Sequence, residues 1–193
     1  MAIGMARLFG ITLSQNFAYP YFARTMREFW RRWHISLSSW FRDYVYIPLG
    51  GARRSTMGAA RNVLLVFCIS GLWHGANWTF VIWGLLNGLY TLPALLKNQT
   101  VDRSVVASER LLPTVIELGA MTRTVLLWSF GLVFFRADSV GHAASYLSHS
   151  LSHFWIASVD HGQFSLPLAM GGLLLMAEWI NRDKPHGLCI GHW

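Results

Sequence analysis

Long apolar stretches alternate with polar ones along this chain, and the longest covers residues 62–96 without an Asp, Glu, Lys or Arg. A run of about 35 residues exceeds the roughly 20 residues of one membrane-spanning helix. Glycines and an asparagine interrupt it near its middle, around His74. Irregular backbone at membrane depth is tolerated only where protein or a water-filled cavity surrounds it. We therefore predict two helices, over residues 62–74 and 78–96, that meet at a cavity beside His74.

Two further apolar segments follow, over residues 115–135 and residues 164–180. Polar residues separate the segments at 97–110 and at 142–161, where four histidines lie among serines at irregular spacing. We predict loops for both polar stretches, because neither shows a helical period. The pattern as a whole predicts the all-α fold class, in the form of a polytopic helical membrane protein with about four apolar segments.

Residues 23–46 combine arginines with aromatic residues, which sets them apart from the apolar segments. They cannot cross the hydrocarbon, because each charged residue at a helix centre costs about 2.5–3.5 kcal/mol. They are also too aromatic for a helix that water surrounds. We predict an interfacial or re-entrant helix, lying in the membrane interface or packed under the spans. Glu28 lies four residues from both Arg24 and Arg32, so ion pairs along one helix face are expected.

The charge of the chain points to a membrane and away from nucleic acid. The formal net charge is +7, but only 13% of the residues are charged, against roughly 25% in an ordinary soluble domain. Most arginines precede the first long apolar run and alternate with Trp, as basic residues do beside membrane spans and anionic lipid headgroups. We expect membrane lipid as a partner and no nucleic acid. The two cysteines form no CxxC motif, so the sequence carries no zinc or redox signature.

His74 is the one histidine of the uncharged run, and a titratable side chain at membrane depth is a functional-site hypothesis. Transfer of an acyl group from a thioester to a hydroxyl needs a base for the hydroxyl proton. Imidazole suits this task, because its ordinary pKa of about 6.5 is close to operating pH. The alternative is a core histidine whose two ring nitrogens are both satisfied by hydrogen bonds.

Four strings of residues carry a resemblance to a known family. They are Phe-Trp-Arg-Arg-Trp-His-Ile-Ser-Leu-Ser-Ser-Trp-Phe-Arg-Asp-Tyr at 29–44, Gly-Leu-Trp-His-Gly at 71–75, Asn-Phe-Ala-Tyr-Pro-Tyr at 16–21 and Val-Phe-Phe-Arg-Ala at 133–137. In their order along the chain, over about residues 1–140, they resemble the membrane-bound O-acyltransferase family. The similarity is greatest to the bacterial branch that includes the alginate O-acetylases.

The resemblance implies a multi-pass membrane O-acyltransferase of the bacterial inner membrane, which transfers acetyl groups to hydroxyls of an exopolysaccharide such as alginate. It implies an acyl thioester donor, acetyl-CoA or an acylated carrier, that acts as substrate, and no bound cofactor. Expected partners are the polysaccharide acceptor and periplasmic acetyl-transfer proteins. Members of this branch are more than twice as long. Residues 1–180 are therefore expected to be a C-terminal part of the family's membrane domain, and residues 181–193 a disordered tail.

The resemblance also assigns the two catalytic candidates. His74 matches the family's proposed catalytic histidine, and we predict that it acts as general base. His34 matches a second recurrent histidine, which either orients substrate or serves the structure through hydrogen bonds. Two histidines forty residues apart, with no third ligand in a recognisable pattern, make no metal signature. We therefore expect no metal.

Five further residues are candidates for substrate binding: Trp73, Asn77, Asn87, Arg31 and Arg32. One of the amides could polarise the acyl carbonyl as an oxyanion donor, although hydrogen bonding between helices is the commoner role of such amides in membranes. Many relatives carry histidine at the position of Asn87. The arginines either guide an anionic donor or belong to an interfacial basic belt, and Trp73 is also typical of a membrane interface.

Two alternatives stay open at this point. The chain could be a non-catalytic membrane subunit of an export system or channel, with His74 in a proton or water path. It could also be an inactive fragment, if the spans that complete the cavity are absent. Expression of the chain, with a test for ion flux and one for acyl transfer, distinguishes these alternatives from the enzyme.

Overall fold

The computed structural model describes residues 2–53, 55–97, 104–153 and 161–184, and within these ranges the chain is helical and contains no strand. The all-α fold class is thereby confirmed. The helices are α1 (Ala2–Leu8), α2 (Met26–Arg32), α3 (Ile35–Phe41), α4 (Thr56–His74), α5 (Trp78–Leu96), α6 (Val115–Arg136), α7 (Val140–Ser152) and α8 (His161–Ile180). A π-helical turn (Arg42–Tyr46) follows α3, and 3-10 turns lie at Pro20–Phe22 and Gly51–Arg53.

Three helices of the described residues, α4, α5 and α6, are long and apolar enough to cross a membrane. The apolar part of α8, Ser165–Ile180, is shorter. These are the four apolar segments that the sequence predicts, and α4 and α5 meet beside His74 as predicted. Helix α4 starts six residues earlier than predicted, because the Ser55 side chain caps it by accepting a hydrogen bond from the Gly58 N–H at 3.3 Å.

Helices α4 and α5 form an antiparallel pair that two glycines bring into close contact. A Cβ atom on Gly71 of α4 would overlap the carbonyl group of Phe80, and one on Gly84 of α5 would overlap the carbonyl group of Phe67. Small residues allow membrane helices to approach to such distances. Helix α6 packs antiparallel on the other side of α5, where Gly131 lies against Trp83.

The arginine- and tryptophan-rich region packs under the spans, which is one of the two predicted placements. Phe29 of α2 is fully buried. Trp33, which follows α2, and Trp128, which lies in α6, pack against it. Glu28 is also buried, and its carboxylate accepts hydrogen bonds from Arg24 at 3.3 Å and from Arg32 at 2.7 Å. The predicted ion pairs of one helix face are thus confirmed.

The region is two helices, however, and the prediction of one continuous helix is wrong. His34 separates α2 from α3 and has left-handed backbone angles, with φ 45° and ψ 55°. The connection is held from outside the helices, because Asn16 accepts hydrogen bonds from the Ile35 N–H at 3.0 Å and from the Ser36 N–H at 2.9 Å. Contacts distant in sequence therefore stabilise the break.

The prediction of a loop after residue 142 is also wrong, because residues 140–152 form α7. The Ser139 side chain caps this helix by accepting a hydrogen bond from the His142 N–H at 3.1 Å. The predicted loop also includes residues 154–160, which lie outside the described residues. Ala143, on the apolar face of α7, is fully buried.

The predicted tail begins with a turn over residues 181–184, and its remaining residues, 185–193, lie outside the described part of the chain. The Tyr19 hydroxyl donates hydrogen bonds to the carbonyl oxygens of Asn181, at 2.7 Å, and of Lys184, at 3.0 Å. The Arg182 guanidinium donates to the carbonyl oxygens of Ala107 and Arg110, both at 2.6 Å. The start of the tail is thereby tied to the residues before α2 and to those before α6.

Candidate active site

A cavity of about 470 Å³ lies between the α2–α3 region and the helices α4, α5 and α6. His34 and His74 both line it. Aromatic side chains make up much of the remaining wall: Trp30, Trp33, Phe41, Tyr46, Phe67, Trp83, Trp128 and Phe135. The structure thus brings together the two histidines that the sequence singled out, although forty residues separate them.

The cavity is elongated along α4. The α4 side chains that line it recur at helical spacing and form one face, from Val63 through Val66, Phe67 and Ser70 to His74. At a rise of about 1.5 Å per residue, this face is about 16 Å long. His74 lies at one end of it. On α5, Trp83 lies near the His74 end and Leu95 near the other.

The His74 ring is held among aromatic rings at the C-terminal end of α4. Its centroid lies 5.1 Å from that of Trp83 and 4.9 Å from that of Phe135, with interplanar angles of 89° and 80°. The Trp73 ring lies 4.9 Å away on the outer side, and Trp73 is 59% exposed. These contacts restrict the imidazole orientation while one side of it faces the cavity. His74 is only partly buried, so small polar molecules can reach it from the cavity.

His34 reaches the same cavity because of the break between α2 and α3. Its ring lies 6.1 Å from that of Phe17. Its Nδ1 atom is buried and has no hydrogen-bond partner among the described residues. A buried polar atom without a partner is costly, and a bound substrate that offers a hydrogen bond in the cavity would remove that cost.

Three arginines line the cavity, and Arg32 is not among them. Arg27 and Arg31 come from α2, and Arg42 comes from the turn after α3. Arg32 instead binds Glu28 and donates to the Ala18 carbonyl oxygen at 3.3 Å. Its contacts are therefore structural, whereas the predicted role in donor binding fits the position of Arg31.

The exposed pair at the cavity edge is Arg42 and Asp43. The Arg42 Nε atom lies 2.7 Å from a carboxylate oxygen of Asp43. This hydrogen bond holds the pKa of the Asp43 carboxyl below its ordinary value. Among the described residues that line the cavity, none is acidic, so the cavity favours an anionic ligand.

Asn77 caps α5 and also links the start of α5 to Asp138, which lies just after the end of α6. Its side-chain oxygen accepts a hydrogen bond from the Thr79 N–H at 3.2 Å, which caps α5. Its Nδ2 atom donates to the Asp138 carbonyl oxygen at 2.9 Å, just after α6. Both ends of the amide thus have structural partners, so the geometry favours the reading of Asn77 as a link between helices.

Asn87 lies in the contact between α5 and α6. It is fully buried and donates to the Trp83 carbonyl oxygen at 2.8 Å. It is not among the described residues that line the cavity. Its Nδ2 atom would lie 3.4 Å from a Cβ on Gly131 of α6. Asn87 is therefore connected to the site through the Trp83 backbone and through its contact with α6.

Trp83 and Phe135 belong to the site, but the sequence reasoning did not single them out. A signal for Trp83 was available, because two helices that meet beside His74 bring the first turns of the second helix close to the histidine. Phe135 had a weaker signal, since it belongs to one of the strings that carry the family resemblance. No group of three or more His, Cys, Asp or Glu side chains that could hold a metal ion converges in the described parts of the chain.

Comparison with known proteins adds a family match over most of the chain. The model of the membrane-bound O-acyltransferase family matches residues 1–138. A probable alginate O-acetylase of Azotobacter vinelandii is 42% identical over 140 residues, which are 72% of this chain and 26% of the relative. A peptidoglycan O-acetyltransferase of Helicobacter pylori is 42% identical over 147 residues, 76% of this chain and 27% of the relative.

A more distant relative, a teichoic acid D-alanyltransferase of Streptococcus thermophilus, is 36% identical over 95 residues, 46% of this chain and 23% of the relative. The chain thus spans about a quarter of the length of the curated relatives it matches. All three relatives are named as enzymes that transfer an acyl group, to alginate, peptidoglycan and teichoic acid respectively.

Proposed function

Because this chain belongs to the membrane-bound O-acyltransferase family, we propose that the protein transfers an acetyl group from a thioester to a polysaccharide hydroxyl, with His74 as general base. The observation that carries this proposal is the cavity that His34 and His74 share, with arginines on its wall. Two relatives that match 72% and 76% of this chain, named for acetylation of alginate and of peptidoglycan, support acetyl as the acyl group. Similarity to several probable alginate O-acetylases supports alginate as the acceptor.

The proposed reaction has two steps. The acceptor hydroxyl oxygen attacks the thioester carbonyl carbon while the neutral His74 imidazole takes the hydroxyl proton. The tetrahedral intermediate then collapses, so that the C–O bond of the ester remains and the C–S bond breaks. The proton on His74 passes to the leaving sulfur, which departs as a thiol and leaves the imidazole neutral again.

The second histidine has a supporting role in this proposal. His34 lines the same cavity as His74, and its buried Nδ1 has no partner among the described residues. It therefore orients a substrate group by a hydrogen bond. The arginines Arg27, Arg31 and Arg42 hold the anionic part of the donor, since guanidinium groups bind phosphate strongly. Acetyl-CoA and an acylated carrier protein both bear such phosphate groups.

The orientation in the membrane follows from the helix order and the distribution of basic residues. The start of α4, the end of α5 and the start of α6 lie at one end of the bundle, because these helices are antiparallel neighbours. The described residues around this end include several basic ones: Arg42, Arg53, Arg61, Lys97 and Arg110. The positive-inside tendency places this end in the cytoplasm.

His74 then lies toward the opposite side. The donor enters from the cytoplasm at the arginines, and the acceptor approaches from the exterior. In a bacterium this corresponds to the inner membrane, with periplasmic proteins as partners in the transfer to the polymer.

A chimera tests this function. Residues 1–140 of this chain replace the matching region of the Azotobacter vinelandii relative, and the chimera is produced in a strain that lacks its own alginate O-acetylase. We expect O-acetyl groups on the secreted alginate, measured by NMR of the polymer. A chimera that reaches the membrane at the level of the intact relative but leaves alginate unacetylated would contradict the proposal. A pH-dependent ion flux in liposomes without acyl transfer would favour the channel alternative instead.

A further inference from the structure

Helix α7 carries a row of histidines that the proposed reaction does not use. His142, His149 and His153 are separated by seven and four residues, so they lie along one side of the helix. Apolar residues of α7 lie on the opposite side. Among them are Leu147 and Ala143, of which Ala143 is buried. The three histidines are exposed, and packing therefore does not account for them.

Two of these histidines form a close pair at the end of α7. The rings of His149 and His153 are stacked, with centroids 5.2 Å apart and an interplanar angle of 24°. The Nδ1 atom of His153 lies 3.2 Å from the carbonyl oxygen of His149 and 2.9 Å from the Ser152 hydroxyl. The spacing of four residues is that of two metal-binding histidines on one helix face.

The hydrogen bond to the carbonyl determines which nitrogen is available. Nδ1 of His153 lies near both the Ser152 hydroxyl and the His149 carbonyl oxygen, and in the tautomer that donates to the carbonyl oxygen, which only accepts, Nδ1 carries the proton. The Nε2 atom then holds a lone pair that faces away from the backbone. Metal-bound histidines have this arrangement, in which the second nitrogen donates to a carbonyl or carboxylate and fixes the tautomer.

We propose that His149 and His153 bind a divalent transition metal ion, with zinc as the ion of choice. Zinc accepts imidazole nitrogens at about 2.0–2.1 Å, which places the two nitrogens about 3.3 Å apart in a tetrahedral site. To reach that separation from rings with centroids 5.2 Å apart, the exposed His149 side chain rotates, while His153 keeps its contact with the His149 carbonyl oxygen.

The site is open, because two of its four positions remain for water or for a ligand from outside the chain. His142 is about 10 Å further along the helix, and its Nδ1 atom lies 3.5 Å from an Asp138 carboxylate oxygen. It is therefore not a third ligand, which agrees with the lack of a convergent group of three in the described residues. The bound ion stabilises the last turn of α7 by joining His149 to His153, the residue that follows the helix.

Zinc titration of the purified full chain in detergent tests the proposal, with isothermal calorimetry as the readout. The variants are His149→Ala, His153→Ala and, as a matched control on the same exposed face, His142→Ala. We expect the first two to weaken zinc binding by at least about tenfold, since even loss of an outer partner of a metal ligand costs 10–100-fold. The His142→Ala variant should bind zinc as the wild type does.

Amide hydrogen exchange provides an independent readout, because zinc should slow exchange in the last turn of α7 in the wild type and not in His149→Ala. The three variants alter exposed side chains, so we expect unchanged circular dichroism. Equal zinc affinity in all four proteins, or an equal loss in all three variants, would overturn the proposal. Both outcomes are independent of acyl transfer, so they leave the proposed enzymatic function unaffected.

Discussion

At the scale of single residues, the site depends on how firmly the His74 ring is held. Trp83 meets the ring at an interplanar angle of 89° and also contacts Trp30, with centroids 5.9 Å apart. Trp83 is only 4% exposed. Trp83 therefore contacts both Trp30 in the cavity wall and His74, and its ring limits the positions that the imidazole can take.

Truncation of Trp83 should affect both stability and acetyl transfer. Trp83→Ala removes a large buried side chain, and we expect a loss of about 3 kcal/mol in the free energy of unfolding together with most of the transfer activity. Trp83→Phe keeps an aromatic edge at His74 and should retain most of both. Thermal unfolding in detergent and acetylation by the chimera measure the two effects. Wild-type transfer by Trp83→Ala would show that the ring does not position His74.

The two histidines of the site could be found from sequence, because an imidazole in an uncharged run and one in an aromatic string are each conspicuous. The contacts that decide the roles of the polar candidates could not all be found from the sequence. The cap that Asn77 forms on α5 is local, but its second hydrogen bond goes to the Asp138 carbonyl group, sixty-one residues away. Arg31 and Arg32 are adjacent in sequence; the pair of Arg32 with Glu28 was expected from their spacing, but the place of Arg31 in the cavity wall depends on the fold.

At the scale of helices, the close packing of α4 on α5 positions the cavity wall. The helix pair was predictable, since the uncharged run is too long for one span and has glycines near its middle. The break at His34 was not predictable, because no Gly or Pro lies there. Asn16, which lies outside both helices, stabilises the left-handed backbone of His34. Helix α7 was also missed, because its serines and histidines obscure the apolar row on its other side.

Alanine at the close glycines should separate α4 from α5. In Gly71→Ala and Gly84→Ala, the new methyl group overlaps backbone carbonyl groups that cannot move alone. We expect a lower unfolding temperature and a loss of acetyl transfer in both variants. Gly119→Ala in α6 is the matched control, because no described atom lies within 4 Å of its Cβ position. If all three variants unfold at the wild-type temperature, close contact of α4 and α5 is not what maintains the cavity.

At the scale of the whole molecule, the antiparallel order of α4, α5 and α6 places the basic loops and His74 at opposite ends. The composition predicted a membrane protein, and the family match agrees with it. The sequence could not give the relative orientation of the spans, which depends on how the helices pack. The sequence also could not show that α2 and α3 form one wall of the cavity, since their position depends on contacts such as that of Phe29 with Trp128.

Cysteine labelling tests the proposed orientation. Cys68 and Cys189 are first replaced by serine, and single cysteines are introduced at Glu109, before α6, and at Ser148 on α7. A membrane-impermeant maleimide applied to intact spheroplasts should label Ser148→Cys and leave Glu109→Cys unlabelled until the membrane is permeabilised. The reverse pattern would place His74 on the cytoplasmic side and exclude the proposed path of the acetyl group.

The central claim is that His74 is the general base for acetyl transfer, and single-turnover kinetics test it most directly. Membranes that contain the chimera receive radiolabelled acetyl-CoA and alginate, and the initial rate of ester formation is measured for His74→Gln and for His142→Gln, an exposed histidine outside the cavity. We predict that His74→Gln lowers the rate by about 10²–10⁴-fold, the usual contribution of a general base, while His142→Gln keeps the wild-type rate. A His74→Gln variant that forms ester at the wild-type rate would contradict the claim.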